Sequence, residues 1–296
     1  MITCAQETSK TRDIRLKNSK ATLLLGVDVG STTVKTVLIN PKDSAVLSWN
    51  YLRHNGSQTK TVQQLIGSVY KKYKNIRFRI AVCGSGAEPV AEKLNGTYIQ
   101  EVIATAIAIQ NIHPEIRTAI ELGGQDSKIL FFEPDFKTGK SVVRDMRMNG
   151  TCAGGTGAFI DQMAVLLGLK TKELCDLALT GKKVYPISGR CGVFAKSDIL
   201  PLLNIGVPKA DIALSVCYSV VNQTMCSLAQ GVEISEPVAF IGGPLTYIPA
   251  LIAAYVKRLG LSKKNYIVPE YSQVMAALGS AMFVGQLQMQ GGGYGR

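Results

Sequence analysis

Two glycine turns, each preceded by an apolar run, carry an acid and a lysine at matching positions. The first turn, residues 28–35, reads DVGSTTVK, and the second, residues 121–128, reads ELGGQDSK. We predict that each turn belongs to a β-hairpin whose first strand ends at the acid. Glycine lets a backbone approach a ligand closely and direct its N–H groups toward it. Two such hairpins facing each other can hold a polyphosphate, and their acids can hold its Mg²⁺ through water.

A third glycine turn completes the pattern. Residues 239–244 read AFIGGP, which predicts a short strand, a turn and an apolar helix from about Pro249. A single glycine pair between a strand and a helix is usually only a turn, whereas three in this order indicate a nucleotide site. Together they resemble the phosphate-1, phosphate-2 and adenosine loops of the actin, sugar kinase and Hsp70 ATPase superfamily. The resemblance implies that ATP or ADP binds with Mg²⁺ in a cleft between two lobes.

The same resemblance implies roles for individual residues. Asp28 and Glu121 hold the hydrated Mg²⁺, and either Gln125 or Asp126 positions the attacking water. Gln125 also faces the γ-phosphate. We expect Lys35 and Lys128 to be exposed strand positions, because phosphoryl transfer needs positioning and charge neutralisation rather than a lysine in each loop. The implied phosphate ligands are Gly30, Ser31, Thr32, Thr33, Gly123 and Gly124, and the residues beside the adenosine are Gly242, Gly243 and Pro244.

Two of the seven cysteines lie on glycine-rich turns. Cys152 stands in NGTCAGGTG, and the apolar spacing that follows predicts a helix. Cys191 stands in SGRCGVFAKSD, before a helix that we expect Ser197 or Asp198 to cap, with Pro201 in its first turn. A helix N-terminus lowers the pKa of a thiol, and glycines leave backbone N–H groups available to bond sulfur. Both positions therefore suit a thiolate.

The other cysteines have a simpler interpretation. An odd number of cysteines without an export signal argues against a disulfide framework. Cys4 lies in the N-terminal arm. Cys83 ends a predicted strand, where core packing is the expected role. We also predict that three cysteines in helical patterns are small buried residues, and these are Cys175, Cys217 and Cys226.

The residues around Cys152 and Cys191 resemble the two cluster motifs of the CoA-substrate-specific activases. This family includes the activator of 2-hydroxyacyl-CoA dehydratases and the ATPase subunits of benzoyl-CoA reductase. The resemblance covers about residues 22–285. It implies a 4Fe–4S cluster held by both cysteines from each of two subunits, and four thiolates are the usual ligand count for such a cluster. Two cysteines per chain then require a symmetric dimer, or pairing with a second activase unit of a longer chain.

The implied function is one-electron donation driven by ATP hydrolysis. The acceptor would be an iron–sulfur acyl-CoA dehydratase or reductase, and the electron source a ferredoxin or a flavodoxin. The helix after Glu101 lacks the histidine that many activators carry there. The sequence SGR before Cys191 is closer to the amino-terminal unit of long multidomain activase-related proteins. The glycine-rich end at residues 291–296 is consistent with a domain cut from such a chain.

Composition agrees with a soluble, cytoplasmic, globular protein. The chain has 296 residues, 46% of them hydrophobic, and its most apolar stretches are interrupted by polar residues or glycines. The basic N-terminal segment lacks the apolar region of a secretion signal. The formal net charge of +12 arises partly from that segment and partly from residues 71–79. Without interleaved aromatic residues or a nucleic-acid module, this charge favours a solvated surface over nucleic-acid binding, although attraction to an acidic protein or phosphorylated ligand stays open.

We predict an α/β protein with the two-lobed actin-like ATPase (ribonuclease H-like) fold and an internal duplication. The first lobe should begin with three strands at 23–28, 34–39 and 45–50, followed by a helix at 60–73 and a strand at 78–83. The predicted domains are a disordered basic arm at 1–20, a first lobe at 21–118 completed by a returning helix at 272–288, a second lobe with the cluster cysteines at 119–271 and a flexible tail at 289–296.

Two other functions fit parts of this pattern. A small-molecule kinase of the same fold would use the glycine turns but would have no reason for both cysteine motifs. A non-enzymatic, ATP-gated assembly or chaperone module would bind ATP without iron. The colour of anaerobically purified protein separates both from the activase prediction, because a bound cluster would make it brown.

Overall fold

The computed structural model describes residues 7–11, 22–149 and 153–289. The chain divides into two compact units. The N-terminal unit comprises Gln6–Pro114 and Val274–Arg296, and the central unit comprises Glu115–Gln273.

The N-terminal unit contains a six-stranded mixed sheet in the order β1-β4-β3-β2-β5-β6. Its strands are β1 (Glu7–Thr11), β2 (Thr22–Val29), β3 (Thr33–Ile39), β4 (Val46–Arg53), β5 (Arg77–Cys83) and β6 (Thr97–Tyr98). Its first three helices are α1 (Gln58–Lys72), α2 (Ala87–Lys93) and α3 (Glu101–Ile112). The strands predicted at 23–28, 34–39 and 78–83 lie within β2, β3 and β5, and the helix predicted at 60–73 largely coincides with α1.

The central unit contains a five-stranded sheet in the order β11-β10-β7-β8-β9. Its strands are β7 (Thr118–Leu122), β8 (Ser127–Pro134), β9 (Ser141–Asn149), β10 (Val238–Ile241) and β11 (Tyr266–Ile267). Its helices are α4 (Gly157–Leu166), α5 (Thr171–Ala178), α6 (Gly192–Asn204), α7 (Lys209–Thr224), α8 (Gly243–Tyr247) and α9 (Pro249–Leu259). A π-helical turn, Met225–Ala229, extends α7. The chain then returns to the N-terminal unit with α10 (Met275–Met289).

The two sheets repeat one arrangement, which confirms the predicted internal duplication. In each, an antiparallel hairpin is flanked on one side by a third antiparallel strand and on the other by a parallel strand. In the N-terminal unit β2 pairs with β3 and lies parallel to β5. In the central unit β7 pairs with β8 and lies parallel to β10. The glycine turns 28–35 and 121–128 therefore occupy equivalent places.

Both faces of β2 are buried, which explains why its sequence is an almost unbroken apolar run. Leu25 and Val27 belong to one core cluster with apolar residues of α1, such as Val62 and Ile66. Gly26 lies on the other face, where a Cβ atom would lie 1.8 Å from the Ala277 carbonyl oxygen of α10. The close contact between β2 and α10 therefore depends on glycine at this position.

Replacing Gly26 by alanine is expected to destabilise the protein by about 1–3 kcal/mol or more, because the new methyl group overlaps backbone atoms that cannot move independently. Chemical denaturation monitored by circular dichroism measures the effect. Gly67→Ala is the matched control, since no atom lies within 4 Å of the added Cβ on the exposed face of α1. It should leave stability unchanged or raise it by about 0.5–1 kcal/mol. Equal unfolding midpoints for Gly26→Ala and wild type would contradict this packing.

The disordered arm predicted at residues 1–20 is wrong for Glu7–Thr11. This segment forms β1 and pairs antiparallel with β4. The physical reason is that β4 would otherwise present an unpaired row of N–H and C=O groups along its edge. The rest of the predicted arm, 1–6 and 12–20, lies outside the described residues.

A single helical stretch among the described residues, Lys209–Ala229, is long and apolar enough to cross a membrane by length and composition. Of its most apolar window, 61% is buried within the protein. Ile212, Val216 and Val220 belong to the main core cluster of the central unit. Such burial is typical of a core helix.

Candidate functional site

The first glycine hairpin is the β2–β3 hairpin with the turn around Gly30. The hairpin and the place of Asp28 near the end of its first strand are as predicted, and Asp28 and Lys35 face each other across it. The Gly30 N–H donates to the Thr33 carbonyl oxygen over 3.0 Å and closes the turn. The Lys35 Nζ donates to Asp28 Oδ2 over 2.6 Å. Asp28 itself is fully buried at the end of β2, so the hairpin carries a fixed carboxylate beside an open glycine turn.

The Lys35 side chain is more buried than the sequence predicts. Its side chain is 16% exposed, so the prediction of an exposed strand position is wrong. Burial alone would lower the pKa of its ammonium group, but the Asp28 carboxylate and then Glu101 raise that pKa above its usual value. Lys35 therefore stays charged throughout the physiological range and fixes the orientation of Asp28.

Two residues missed by the sequence analysis support this turn. Gly84 follows β5, has a φ of +100°, and a Cβ there would lie 2.6 Å from Asp28 Oδ1 and from the Val29 carbonyl oxygen. Gln58, the first residue of α1, donates from Nε2 to the Gly30 carbonyl oxygen over 3.0 Å. Only the parallel pairing of β2 with β5 brings Gly84 beside Asp28, and no local pattern reveals that pairing.

The second glycine hairpin is the β7–β8 hairpin with the turn 123–126. Glu121 and Lys128 face each other across it. The Gly123 N–H donates to the Asp126 carbonyl oxygen over 2.8 Å. The Lys128 Nζ lies 3.6 Å from Glu121 Oε2 and also forms an ion pair with Asp126 Oδ2. Lys128 is 1% exposed, so the prediction of an exposed lysine is wrong here as well.

The residues at the two turns differ in accessibility. Ser31 and Gln125 are exposed at the tips of their hairpins. Gly30, Thr32, Gly123, Gly124 and Asp126 are partly buried, whereas Thr33 is buried as the first residue of β3.

The third glycine turn lies directly against the second hairpin. Gly242 follows β10 with a φ of +92°, and a Cβ there would lie 2.2 Å from the Leu122 carbonyl oxygen. Its N–H donates to the Ser272 carbonyl oxygen over 2.9 Å. The predicted strand and turn are confirmed, but a short helix already begins at Gly243, before the expected helix at Pro249. In the duplicated arrangement Gly242 is the counterpart of Gly84.

The helix after Cys152 is hydrogen-bonded to the second hairpin. Cys152 itself lies outside the described residues. Thr156 is the N-cap residue of α4. The N–H groups of Gly157 and Ala158, its first two residues, donate to the carbonyl oxygens of Gly123 and Gly124 over 3.0 and 2.8 Å. The glycine turn and the start of α4 are therefore one hydrogen-bonded unit.

The two cysteine-bearing loops are in backbone contact. A Cβ on Gly154, two residues after Cys152, would lie 2.2 Å from the carbonyl oxygen of Arg190, the residue before Cys191. Cys191 is partly exposed and is the N-cap residue of α6. Its carbonyl oxygen accepts the Ala195 N–H over 3.0 Å. Cys191 thus stands at a helix N-terminus.

The expected start of this helix was wrong. It begins at Gly192, so Pro201 lies inside the helix rather than in its first turn. Asp198 does not cap the helix, because its Oδ2 accepts the Ser188 N–H over 2.8 Å and so stabilises the loop before Cys191. Ser197 donates to the Val193 carbonyl oxygen, one turn back.

The remaining described cysteines separate into two groups. Cys83, Cys175 and Cys217 are buried, as predicted, and burial raises the pKa of the Cys83 thiol above its usual value and that of Cys217 to about 12. Cys226 is exposed on the π-helical turn, so the prediction that it is buried is wrong. The π-helical turn does not keep the 3.6-residue period of an α-helix, on which that prediction depended.

The carboxylates and the accessible thiol described above suit the Mg²⁺ ion and the iron–sulfur cluster that the sequence implies. Asp28 and Glu121 are rigid carboxylates at the ends of equivalent strands, and oxygen ligands of this kind suit hydrated Mg²⁺. Cys191 is an accessible thiol at a helix N-terminus, which suits iron–sulfur ligation. Within the described part of the chain, no three His, Cys, Asp or Glu side chains form a cluster.

The duplicated sheets and their glycine hairpins define an ATPase of the actin-like fold. The profile of the BadF/BadG/BcrA/BcrD ATPase family matches residues 25–284, and the chain belongs to that family. As a member, it binds and hydrolyses ATP.

Individual relatives cover most of the chain. The (R)-2-hydroxyglutaryl-CoA dehydratase activating ATPase of Acidaminococcus fermentans is 29% identical over 263 residues, which are 88% of this chain and 95% of the relative. The solved structure of component A of that organism's dehydratase has a TM-score of 0.77 and 26% identity, covering 90% of this chain and 98% of that one. The Clostridium difficile activator of 2-hydroxyisocaproyl-CoA dehydratase, solved with bound ADPNP, has the same fold, with a TM-score of 0.76 and 24% identity over 93% of this chain and 99% of that one.

Proposed function

We propose that this chain couples ATP hydrolysis to one-electron donation and thereby activates an iron–sulfur acyl-CoA dehydratase or reductase. The names of its relatives support the activating role, since the Acidaminococcus fermentans protein is a dehydratase activating ATPase. The cysteine motifs support the electron-transfer role. A kinase or an assembly module would need the glycine hairpins but not an accessible cysteine beside the backbone of a second cysteine loop.

One observation carries this proposal. The N–H groups that begin α4 donate to the carbonyl oxygens of Gly123 and Gly124. Any shift of this turn when phosphate binds or leaves must move the start of α4 or break these two bonds. Gly154, just before α4, in turn packs against the backbone of Arg190. A hydrogen-bonded and packed path thus runs from the second glycine hairpin to both cysteine loops.

Within this proposal the hairpins perform the hydrolysis. Asp28 and Glu121 hold hydrated Mg²⁺, and Gln125 or Asp126 orients the attacking water. The backbone of the two turns binds phosphate through N–H groups, and Gly242, Gly243 and Pro244 lie beside the adenosine. Phosphoryl transfer of this kind depends mainly on positioning and charge neutralisation. The phosphate ligands of the first turn are Gly30, Ser31, Thr32 and Thr33.

Cys152 and Cys191 would hold a 4Fe–4S cluster together with the same two cysteines of a second copy, or of a second activase unit in a longer chain. When bound, such a cluster supplies low-potential one-electron chemistry. The chain contributes the Cys191 side chain at the N-terminus of α6, on a loop whose backbone at Arg190 packs against Gly154. A ferredoxin or flavodoxin would supply the electron.

Replacing Gly157 by valine tests the proposed path. A Cβ at this position would already lie 3.2 Å from the Gly123 carbonyl oxygen and 3.1 Å from Pro244 Cγ, so a branched side chain must displace the turn from α4. We expect the variant to keep its iron but to lose most of the difference in reduction potential between its ADP-bound and ATP-analogue-bound forms. Redox titration monitored by EPR measures that difference.

Val165→Ala is the matched control for this variant, because Val165 belongs to the same helix and is 75% exposed. It should retain the full nucleotide effect. A Gly157→Val protein with the wild-type difference in potential would show that the α4 contact does not transmit nucleotide state.

A further inference from the structure

Lys128 is the most deeply buried charged group beside the second glycine hairpin. Its side chain is 1% exposed, and lysine is almost never fully buried unless it is paired. It extends from β8, directly across from Glu121 on β7. Its ammonium group reaches carboxylates on both sides of the turn, Glu121 at 3.6 Å and Asp126 in closer contact. A single buried cation therefore joins the start and the end of the turn.

The Asp126 side chain folds back over the turn that it ends. Its Oδ2 binds Lys128. Its Oδ1 lies so close to Gly123 that a Cβ on that glycine would be 2.1 Å away. The backbone bond from the Gly123 N–H to the Asp126 carbonyl oxygen closes the same loop. Both carboxylate oxygens of Asp126 are thus directed to the protein's own turn, whereas the neighbouring Gln125 is exposed at its tip.

The first hairpin lacks this arrangement. Aligning the two turns places Thr33 opposite Asp126, so Lys35 meets a carboxylate at the strand end but no second one from the turn. Lys35 is also more exposed, at 16% against 1% for Lys128. The extra carboxylate and the complete burial are features of the second hairpin alone.

We propose that Lys128 is a positioning residue for ATP hydrolysis, that Asp126 acts only through it to hold the turn, and that Gln125 is the residue that contacts the attacking water. The inference rests on the proposed role of Glu121 in holding Mg²⁺. Lys128 fixes the Glu121 carboxylate and the Gly123–Gly124 backbone with one ammonium group. Fixed geometry of this kind is what phosphoryl transfer requires.

Steady-state ATPase kinetics of the full chain, with Mg²⁺ and ATP varied separately, test the inference. Lys128→Met should raise the half-saturating Mg²⁺ concentration by about tenfold or more and lower kcat, and Lys128→Arg should recover part of both losses. Gln125→Ala should instead lower kcat by about a hundredfold with the half-saturating Mg²⁺ unchanged. Lys137→Met, which removes an exposed lysine beyond the end of β8, should match wild type.

Asp126→Asn keeps the test decisive if Lys128→Met folds poorly, because it preserves side-chain volume and removes only the charge that Lys128 binds. It should shift the half-saturating Mg²⁺ in the same direction as Lys128→Met and lower kcat less than Gln125→Ala does. The double variant Asp126→Asn/Lys128→Met should be no worse than Lys128→Met alone, since the two residues act as a unit.

Two results would overturn the inference. One is an Asp126→Asn variant with kcat reduced as much as in Gln125→Ala and with unchanged Mg²⁺ dependence, which would make Asp126 the water-contacting residue. The other is wild-type Mg²⁺ dependence in both Lys128 variants while Glu121→Gln is inactive. Full activity of Glu121→Gln would remove the proposed magnesium role and this inference together, so the two failures are distinguishable.

Discussion

Replacing Cys191 by serine is expected to yield a colourless protein without iron, even after anaerobic purification. The serine hydroxyl keeps the size of the side chain but not the thiolate that iron–sulfur clusters require. Cys191 is the N-cap residue of α6 and partly exposed, so the substitution changes a ligand without opening a cavity. Iron and acid-labile sulfide should fall from about 2 atoms of each per chain, half of a shared 4Fe–4S cluster, to near zero. We expect the same of Cys152→Ser.

The matched control for this loss is Cys226→Ser. Cys226 is also an accessible cysteine in the central unit, on the π-helical turn after α7. Its replacement should leave iron, colour and stability as in wild type. Cys175→Ala and Cys217→Ala should also retain iron, because both thiols are buried in the core. Iron retained in Cys191→Ser, or lost equally in Cys226→Ser, would remove Cys191 from the proposed ligand set.

Replacing Asp28 by asparagine is expected to lower the ATPase rate by about a hundredfold or more, the usual loss when a fixed electrostatic group is removed from an active site. The carboxylate is fully buried, bound by Lys35 and close to Gly84, so an amide of the same size fits the space without the charge that we propose holds Mg²⁺. Phosphate release under saturating Mg-ATP measures the rate. Gly124→Val should be equally inactive, because its side chain occupies the space in which the phosphate approaches the turn.

Asp43→Asn is the control for the charge change, since Asp43 is exposed in the turn between β3 and β4. It should hydrolyse ATP at the wild-type rate. Circular dichroism must show that Asp28→Asn and Gly124→Val remain folded. Folded variants of both kinds with wild-type turnover would refute the assignment of these hairpins to hydrolysis.

The two hairpins were predictable because their signals are local. An apolar run, a glycine turn and a second apolar run specify a hairpin within about a dozen residues. Overlaying the two segments matched Asp28 with Glu121 and Lys35 with Lys128, and the structure shows that the acid and the lysine of each hairpin are cross-strand partners. The repeated pattern in the sequence thus corresponds to the repeated arrangement of strands in the two sheets.

The environments of the lysines were not predictable in the same way. Lys35 and Lys128 occupy strand positions that a period-two pattern cannot assign to solvent or core, because β3 and β8 are largely buried on both faces. Their burial depends on helices and strands distant in sequence. Gly84 was missed for the same reason, since it meets Asp28 only through the parallel pairing of β2 with β5.

The start of α6 was predicted wrongly for a different physical reason. Ser197 and Asp198 have the side chains of helix N-caps, but these side chains bond to Val193 and Ser188 instead. The actual N-cap is Cys191, a residue type with little intrinsic preference for that position. Helix-capping preferences therefore do not predict this cap, which places the Cys191 thiol at the N-terminus of α6.

The central claim is that nucleotide state acts on the iron–sulfur site, and a redox titration of the anaerobically purified chain tests it most directly. The titration is carried out once with Mg-ADP and once with a Mg-bound, non-hydrolysable ATP analogue, while light scattering compares protein with and without iron. We predict an iron-dependent dimer whose potential or EPR spectrum differs between the two nucleotides. A shift of about 60 mV would correspond to roughly 1.4 kcal/mol for a one-electron couple. Identical potentials and spectra in both nucleotide states would contradict the account and leave ATP hydrolysis and iron binding unconnected.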